Sequence, residues 1–145
     1  MTIATYETDF YLWTQQQADL LRQRQFNRID LDVENIAEEI ESMGKRDRRS
    51  ISGYIQNVLL HLLKWRYQPE RRGASWRLSI ENGRYQIVDL LDESPSLNAH
   101  MEALTIKAYQ QARKNAAGET SLPLTTFPEQ CPFTVEQITR DWWPD

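Results

Sequence analysis

Apolar side chains recur every three or four residues along most of this chain, a spacing that predicts α-helices. Residues 10–26 contain no Gly or Pro, and Trp13, Leu20 and Leu21 share one helical face. Thr8 or Asp9 can cap the start of this helix, because a short polar side chain accepts hydrogen bonds from the first free backbone N–H groups. The first predicted element is therefore a helix over 10–26.

The second predicted helix is amphipathic and acidic. Its apolar residues stand at i, i+3, i+4 and i+7, namely Val33, Ile36, Ala37 and Ile40. Asp30 or Asp32 precedes this run as a cap, and Gly44 follows it as a candidate left-handed stop. The pattern predicts a short helix that ends at Gly44.

The third predicted helix has the longest apolar repeat. It comprises Ile51, Tyr54, Ile55, Val58, Leu59, Leu62 and Trp65. Pro69 limits its end, because proline cannot continue a helix. Further apolar residues on the far side of this helix predict that it is central to the fold.

The segment 75–92 fits two structures. Alternating apolar residues before Asn82-Gly83 are typical of a β-hairpin. The same segment also places Trp76, Ile80, Ile87 and Leu91 on one face of a helix. Its spacing alone therefore leaves both a hairpin and a helix open.

A further helix and a proline-rich tail complete the chain. Ser94 and Pro95 form a cap and first-turn pair, and an apolar repeat then runs from Leu97 until Gly118. Residues 119–145 hold four of the six prolines and include a capping-box pattern at 134–137. We expect this tail to be ordered through docking of its aromatic residues, Phe127, Phe133, Trp142 and Trp143.

Length and composition predict one folded domain over 1–145, divided into a helical core (1–118) and a C-terminal extension (119–145). The chain has 145 residues, of which 40% are hydrophobic and 26% charged, values typical of a globular domain. Cys131 is the only cysteine, so no internal disulfide can form. With no secretory leader and no apolar run long enough to span a bilayer, we expect a reduced, cytoplasmic protein without membrane insertion.

Several segments resemble one bacterial family, catalogued as domain of unknown function 29 and abundant in cyanobacteria. They are Asp9-Phe10-Tyr11-Leu12-Trp13, residues 34–44, residues 61–69, Ser75-Trp76, residues 93–97 and residues 127–134. The resemblance covers nearly the whole chain. It implies an all-α fold, and it favours a helix over 75–92. Together with the length and the apolar periodicity, this predicts a single-domain bundle of about five helices with the tail packed on it. The resemblance implies no activity.

Common catalytic motifs are missing from the sequence. There is no phosphate loop, no Gly-x-Ser-x-Gly turn, no His-Glu-x-x-His helix and no Cys-x-x-Cys pair. Cys131 has acidic and proline-rich neighbours and no base beside it, so we interpret it as a small apolar residue rather than a nucleophile. We therefore expect no resident cofactor.

A polar ribbon follows the third predicted helix. Asn57, His61, Lys64 and Gln68 stand at i, i+4, i+7 and i+11, within about 60° of arc on an ideal helix. A histidine and a lysine on a largely buried helix could act as a catalytic acid or base and as a phosphate contact, so His61 and Lys64 are candidate catalytic residues. The alternative is that this ribbon is the solvent face of the helix.

An acidic stripe borders the apolar face of the second predicted helix. Glu34, Glu38 and Glu41 stand at i, i+4 and i+7. Stacked carboxylates can hold Mg²⁺ or Mn²⁺, which makes Glu34 and Glu38 candidate metal ligands, with Asp89 and Asp92 as ligands from another helix. The alternative is a solvated face that pairs with the basic residues after Gly44.

The net charge of −4 is unevenly distributed: residues 30–41 carry six acidic and no basic side chains, whereas residues 42–84 carry ten basic and three acidic ones. Within the basic part, arginines alternate with aromatic residues, a pattern suited to phosphates and bases. The candidate partner-binding residues are Asn57, Gln68, Arg71, Arg72 and Trp76. These side chains could also simply neutralise the acidic segment and the end of the preceding helix.

Three functions follow from these patterns. The first is a cytoplasmic interaction module that binds a protein or nucleic-acid partner near Lys64, Arg71, Arg72 and Trp76. The alternative is a metal-dependent hydrolase of a phosphate ester or anhydride, with a divalent metal on Glu34 and Glu38. The third is a homo-oligomer assembled through Trp142 and Trp143 of the aromatic tail.

Overall fold

The computed structural model describes residues 4–145, except for the side chain of Phe10. Its α-helices are α1 (Phe10–Arg22), α2 (Val33–Tyr67), α3 (Ala74–Glu93), α4 (Met101–Thr120) and α5 (Val135–Thr139), and short 3₁₀ turns occupy Pro69–Arg71, Pro95–His100 and Leu124–Thr126. Residues 4–145 contain no β-strand, which confirms the all-α fold and the helix over 75–92. None of the described helices combines the length and apolarity needed to cross a bilayer.

Helix α1 begins and ends at identifiable residues. Asp9 caps it, because its Oδ1 atom accepts a hydrogen bond of 3.0 Å from the backbone N–H of Leu12. The helix ends at Arg22 rather than at residue 26, because Arg24 takes a left-handed backbone conformation with φ of 57°, which a right-handed helix cannot contain.

Helix α2 joins two elements that the sequence predicts as separate helices. It runs without interruption from Val33 to Tyr67, and Gly44 lies inside it. The predicted left-handed stop at Gly44 is therefore wrong, and no described glycine has a positive φ. A single glycine destabilises a helix by only about 1 kcal/mol relative to alanine, and the Lys45 and Arg46 that follow are good helix formers.

The chain packs as two compact units, Met1–Arg46 and Asp47–Asp145, and the boundary between them lies within α2. In the first unit, α1 and the segment before α2 are joined by side-chain hydrogen bonds. Trp13 Nε1 donates to Asp32 Oδ2 at 3.2 Å, and Gln17 Nε2 donates to the Asp30 carbonyl at 2.8 Å. Residues 119–145 belong to the second unit together with α3 and α4.

The core of the second unit is built on the part of α2 that carries the longest apolar repeat. Fully buried side chains from three helices meet there: Ile51, Ile55, Val58, Leu59 and Leu62 of α2, Ile80 and Ile87 of α3, and Tyr109, Ala112 and Ala116 of α4. Within each of the three helices, these residues have the spacing of a single helical face. The predicted central position of this helix segment is confirmed.

Helix α4 differs from the sequence prediction at both ends. Ser94 makes no side-chain cap hydrogen bond, and the chain first forms the 3₁₀ turn Pro95–His100 before α4 begins at Met101. Gly118 does not end the helix; the left-handed residue is Ser121, with φ of 60°. The hydroxyl of Thr120 donates to the Ala116 carbonyl at 2.6 Å, within the last turn.

The proline-rich tail packs on the second unit, as predicted. Phe127 and Phe133 are buried, whereas Trp142 and Trp143 are half-buried against the core. The predicted capping box at the start of α5 is present: Thr134 and Gln137 each accept a hydrogen bond from the other's backbone N–H. The tail therefore adds aromatic area to the core instead of extending into solvent.

Candidate functional site

The first part of α2 exposes apolar side chains on one face. Val33, Ile40 and Met43 have 60%, 63% and 60% of their surface in solvent, and Ala37 is also exposed. We call these four residues the apolar face of α2. An amphipathic helix usually turns such a stripe towards a core. Here only Ile36, which lies within the stripe between Met43 and Ile40, is half-buried.

The opposite side of α2 is the one that the first unit covers. Tyr6 donates its hydroxyl proton to Glu39, and the side chain of Asn35 donates to Asp32 Oδ2 at 2.8 Å. The Asn35 hydrogen bonds and that from Trp13 lower the pKa of the Asp32 carboxyl against the effect of its burial. These polar contacts orient α2 within the unit, and in the described part of the chain Val33, Ala37, Ile40 and Met43 stay exposed.

Carboxylates flank the apolar face of α2. Glu34, Glu38 and Glu41 are all exposed, and 30–41 is the acidic segment that contains no basic residue. Arg46 pairs with Glu39 at 3.5 Å and Arg28 pairs with Asp30 at 2.9 Å. The carboxylates of Glu34, Glu38 and Glu41 therefore supply the negative charge beside this apolar area.

The structure assigns the two halves of the predicted hydrolase site to different units. Glu34 and Glu38 belong to the first unit, and His61 and Lys64 belong to the second. Within residues 4–145, no three His, Cys, Asp or Glu side chains form a group that could hold a metal ion. Asp89 and Asp92, the other predicted ligands, are exposed on α3.

The polar ribbon of α2 contacts the end of α4. Lys64 Nζ lies 3.2 Å from Glu119 Oε1 and 4.8 Å from the centroid of the Trp76 ring, and the Lys64 side chain is only 11% exposed. Gln68 Nε2 donates to the Thr120 carbonyl at 3.4 Å. The Lys64 and Gln68 side chains therefore bridge helices of the second unit.

His61 and Asn57 form a second contact of the ribbon, within one turn of α2. His61 Nδ1 lies 2.8 Å from the Asn57 carbonyl. Burial, with a smaller contribution from the Lys64 charge, lowers the pKa of the His61 imidazole, while the hydrogen bond to Asn57 acts in the opposite direction. The His61 side chain is therefore hydrogen-bonded to the backbone of its own helix, α2.

In the basic and aromatic segment, residues 66–77, most candidate side chains pack within the second unit. Arg72 Nε donates to the Trp65 carbonyl at 2.7 Å, and its guanidinium lies 5.2 Å from the Trp65 ring centroid. Trp76 is half-buried under Lys64. Arg71 is exposed on the 3₁₀ turn. Of the candidate residues on this segment, Arg71 is the one that presents its side chain to solvent.

Arg84 is a central residue that no motif in the sequence marks as a candidate. It is 6% exposed, and its Nε and Nη2 atoms donate to the carbonyls of Ile138 (3.1 Å), Gln137 (2.8 Å) and Trp142. Burial lowers the pKa of its guanidinium. The position of Arg84 between Ile80 and Ile87, on the buried face of α3, is the signal that could have identified it.

The aromatic tail residues pack against rings of the second unit. The Trp143 ring centroid lies 4.7 Å from that of Trp65, and the Trp142 centroid lies 5.9 Å from that of Phe133. Aromatic pairs at these distances contribute roughly 0.5–1.5 kcal/mol beyond their buried area. Both indole rings therefore contribute to packing within the second unit.

Comparison with known proteins identifies one match. Residues 5–143 match the family model described as "Domain of unknown function DUF29". No curated protein and no solved structure matches the chain.

Proposed function

The chain belongs to the family of Domain of unknown function DUF29, and we propose that it is an interaction module that binds a basic, amphipathic helical segment of a partner protein. The observation that carries the proposal is the apolar face of α2, whose large residues are each at least 60% exposed. The partner helix would cover this face as an amphipathic helix covers an apolar groove.

The distribution of exposed apolar residues supports a binding role for the first unit. Of the thirteen large apolar side chains exposed in the described chain, eight lie before residue 47, although this part is less than a third of the sequence. Burying one such side chain contributes roughly 1.5–3 kcal/mol when the whole side chain leaves water. Because Val33, Ile40 and Met43 are each about 60% exposed, a partner that covers all three would gain less than twice that amount before the entropy of association is subtracted.

The negative charge beside the apolar face of α2 favours a basic partner. Glu34, Glu38 and Glu41 flank the apolar face, so a partner helix with Lys or Arg beside its apolar stripe would complement it. A nucleic acid would bring phosphates towards these carboxylates and would be repelled. The basic segment around Arg71 is the other candidate surface, but the Arg72 and Lys64 charges already have partners within the chain. We therefore place the partner on α2.

The test uses a peptide of about 20 residues, with Leu at positions a and d of each heptad and Lys elsewhere. We expect the labelled Lys peptide to bind the full chain in a fluorescence-anisotropy titration, and the matching Glu peptide not to bind. Ile40→Ser or Val33→Ser should each raise Kd roughly tenfold, equivalent to about 1.4 kcal/mol. Leu78→Ser is the matched control, because Leu78 is 58% exposed on α3 of the second unit.

Two outcomes would overturn the proposal. One is an unchanged Kd for both Ile40→Ser and Val33→Ser, which would mean that the peptide binds elsewhere. The other is a wild-type dimer, measured by sedimentation, that Ile40→Ser converts to a monomer. In that case the occupant of the apolar face is a second copy of the chain and not a basic partner.

A further inference from the structure

A cavity of about 670 Å³ lies in the second unit, between α4 and the start of α5. Its walls include Glu102, Thr105 and Ile106 of α4, and Cys131, Phe133 and Glu136 of the tail. A volume of this size falls in the range that holds small organic ligands. The cavity is distinct from the apolar face of α2, which belongs to the first unit.

The tail segment that forms one wall is anchored on both sides of the cavity. Tyr109 of α4 donates its hydroxyl proton to the Pro128 carbonyl, and Gln110 Nε2 lies 3.4 Å from the Glu129 carbonyl. The capping box at Thr134 fixes the start of α5. These contacts hold the tail wall of the cavity in place, which reduces the conformational entropy lost when a ligand binds.

Thr105 provides an unused polar group in this wall. The residue is 4% exposed, and its Oγ1 atom has no hydrogen-bond partner among the residues that the structure describes. A buried hydroxyl without a partner destabilises a protein by about 1–3 kcal/mol. The Oγ1 atom exposes less than 1 Å² of surface, so the hydroxyl would reach a polar atom of a bound molecule after the Thr105 side chain changes its rotamer.

The charge of the lining indicates the class of ligand. Glu102 and Glu136 contribute two carboxylates, and the lining residues, which all lie in the described part of the chain, include no Lys, Arg or His. The Arg66 guanidinium lies 5.4 Å from the centroid of the Phe133 ring, but Arg66 is not a lining residue. Ile106 and Phe133 supply apolar area beside the carboxylates.

From this combination we propose that the cavity is a binding site for a small organic cation: an ammonium group attached to an apolar body. The ammonium would be stabilised by Glu102 and Glu136, the apolar body would contact Ile106 and Phe133, and the Thr105 hydroxyl would hydrogen-bond a polar atom of the ligand. Such a site needs no contact with a macromolecule, so it is independent of the function proposed for α2.

Cys131 makes the site directly testable, because it is the only thiol of the chain and it lines the cavity. Burial raises the pKa of this thiol, so labelling is measured at mildly alkaline pH. Two methanethiosulfonate reagents are compared, one with an ethylammonium group and one with an ethylsulfonate group. In both, the thiolate attacks the sulfenyl sulfur, a disulfide forms and methanesulfinate leaves. Each rate is divided by the rate with a free cysteine amide.

We expect the normalised rate for the ammonium reagent to exceed that for the sulfonate reagent about tenfold at low salt, because two nearby carboxylates attract the cation. Glu102→Gln and Glu136→Gln should each lower this ratio severalfold, whereas Glu93→Gln, at the end of α3 and outside the lining, should leave it unchanged. Phenethylammonium should slow labelling by either reagent in a saturable manner, and phenylacetate should not.

Thr105→Val separates binding from folding. Removing a hydroxyl that has no partner should leave the melting temperature equal or higher, while an amino alcohol such as phenylalaninol should protect Cys131 severalfold less in the variant. Equal normalised rates for the two reagents, or protection by phenylacetate equal to that by phenethylammonium, would overturn the assignment of a cation site. Labelling that phenethylammonium leaves unchanged would overturn it as well.

Discussion

Gly83 of α3 lies so close to Val58 of α2 that a Cβ atom added at Gly83 would overlap with Val58 Cγ2. The two helices of the second unit therefore approach each other at a position where only glycine fits. This contact also explains the glycine of the Asn82-Gly83 pair, which the sequence presents as a hairpin signal.

Gly83→Ala should destabilise the protein even though alanine is the better helix former. Alanine gains about 1 kcal/mol of helix propensity, but its methyl group must displace Val58 inside a fully buried core, which costs about 1–3 kcal/mol. Urea unfolding followed by circular dichroism measures the net change. Gly53→Ala is the matched control, because nothing lies within 4 Å of a Cβ at that α2 position, and it should stabilise the chain.

Gly44→Ala tests the continuity of α2 by the sign of its effect. A Cβ at Gly44 meets nothing within 4 Å, and the residue lies within the helix without a positive φ. Alanine should therefore raise helicity and stability by about 0.5–1 kcal/mol. If Gly44 were a left-handed stop, the same substitution would destabilise the chain by a similar amount or more. Circular dichroism and urea unfolding of both proteins decide between the two.

The position of Gly44 inside α2 shows that a local sequence pattern predicts some helices but not every helix end. The apolar repeat from Ile51 to Leu62 predicts a buried helix correctly, because a strong local period needs no other information. A glycine, in contrast, is compatible with the end of a helix and with an uninterrupted helix. Tertiary packing decides which of the two forms. The same holds for Val33 and Ile40, whose spacing predicts an apolar face but not whether the chain covers it.

The candidate sites depend even more on contacts between distant residues. Lys64 pairs with Glu119, which stands 55 positions later, and no local pattern predicts that pairing. Thr105 and Cys131 line one cavity, although each looks ordinary in its own segment. Periodicity therefore predicts the helices. The cavity and the pairing of Lys64 with Glu119 depend on tertiary contacts that periodicity does not predict.

Arg84→Lys should release the C-terminal tail. The guanidinium donates to three carbonyls of the α5 region at once, and a lysine ammonium cannot reproduce this planar fork. We expect a loss of about 2–4 kcal/mol in the free energy of unfolding, together with faster proteolysis after residue 119. Arg77→Lys is the control, because Arg77 is exposed on the same helix. Equal proteolysis of the two variants would show that Arg84 does not anchor the tail.

Titration with Mg²⁺, Mn²⁺ and Zn²⁺ tests the predicted metal site on α2. Glu34 and Glu38 are exposed carboxylates one helical turn apart, so they leave most coordination positions to water and should bind divalent ions only weakly. We expect no saturable rise in melting temperature at submillimolar metal. A saturable rise that Glu38→Ala abolishes, but Glu70→Ala does not, would support the metal site and the hydrolase hypothesis.

The half-buried position of His61 should make stability fall in acid. Burial lowers the pKa of this imidazole below its ordinary value near 6.5, so below that pH the unfolded chain binds a proton that the folded chain does not. Stability is then fully present above about pH 6.5 and decreases as the pH falls through that value. His61→Asn should flatten this decrease between about pH 7 and 5 in urea unfolding. An unchanged slope in His61→Asn would assign the acid sensitivity to other groups.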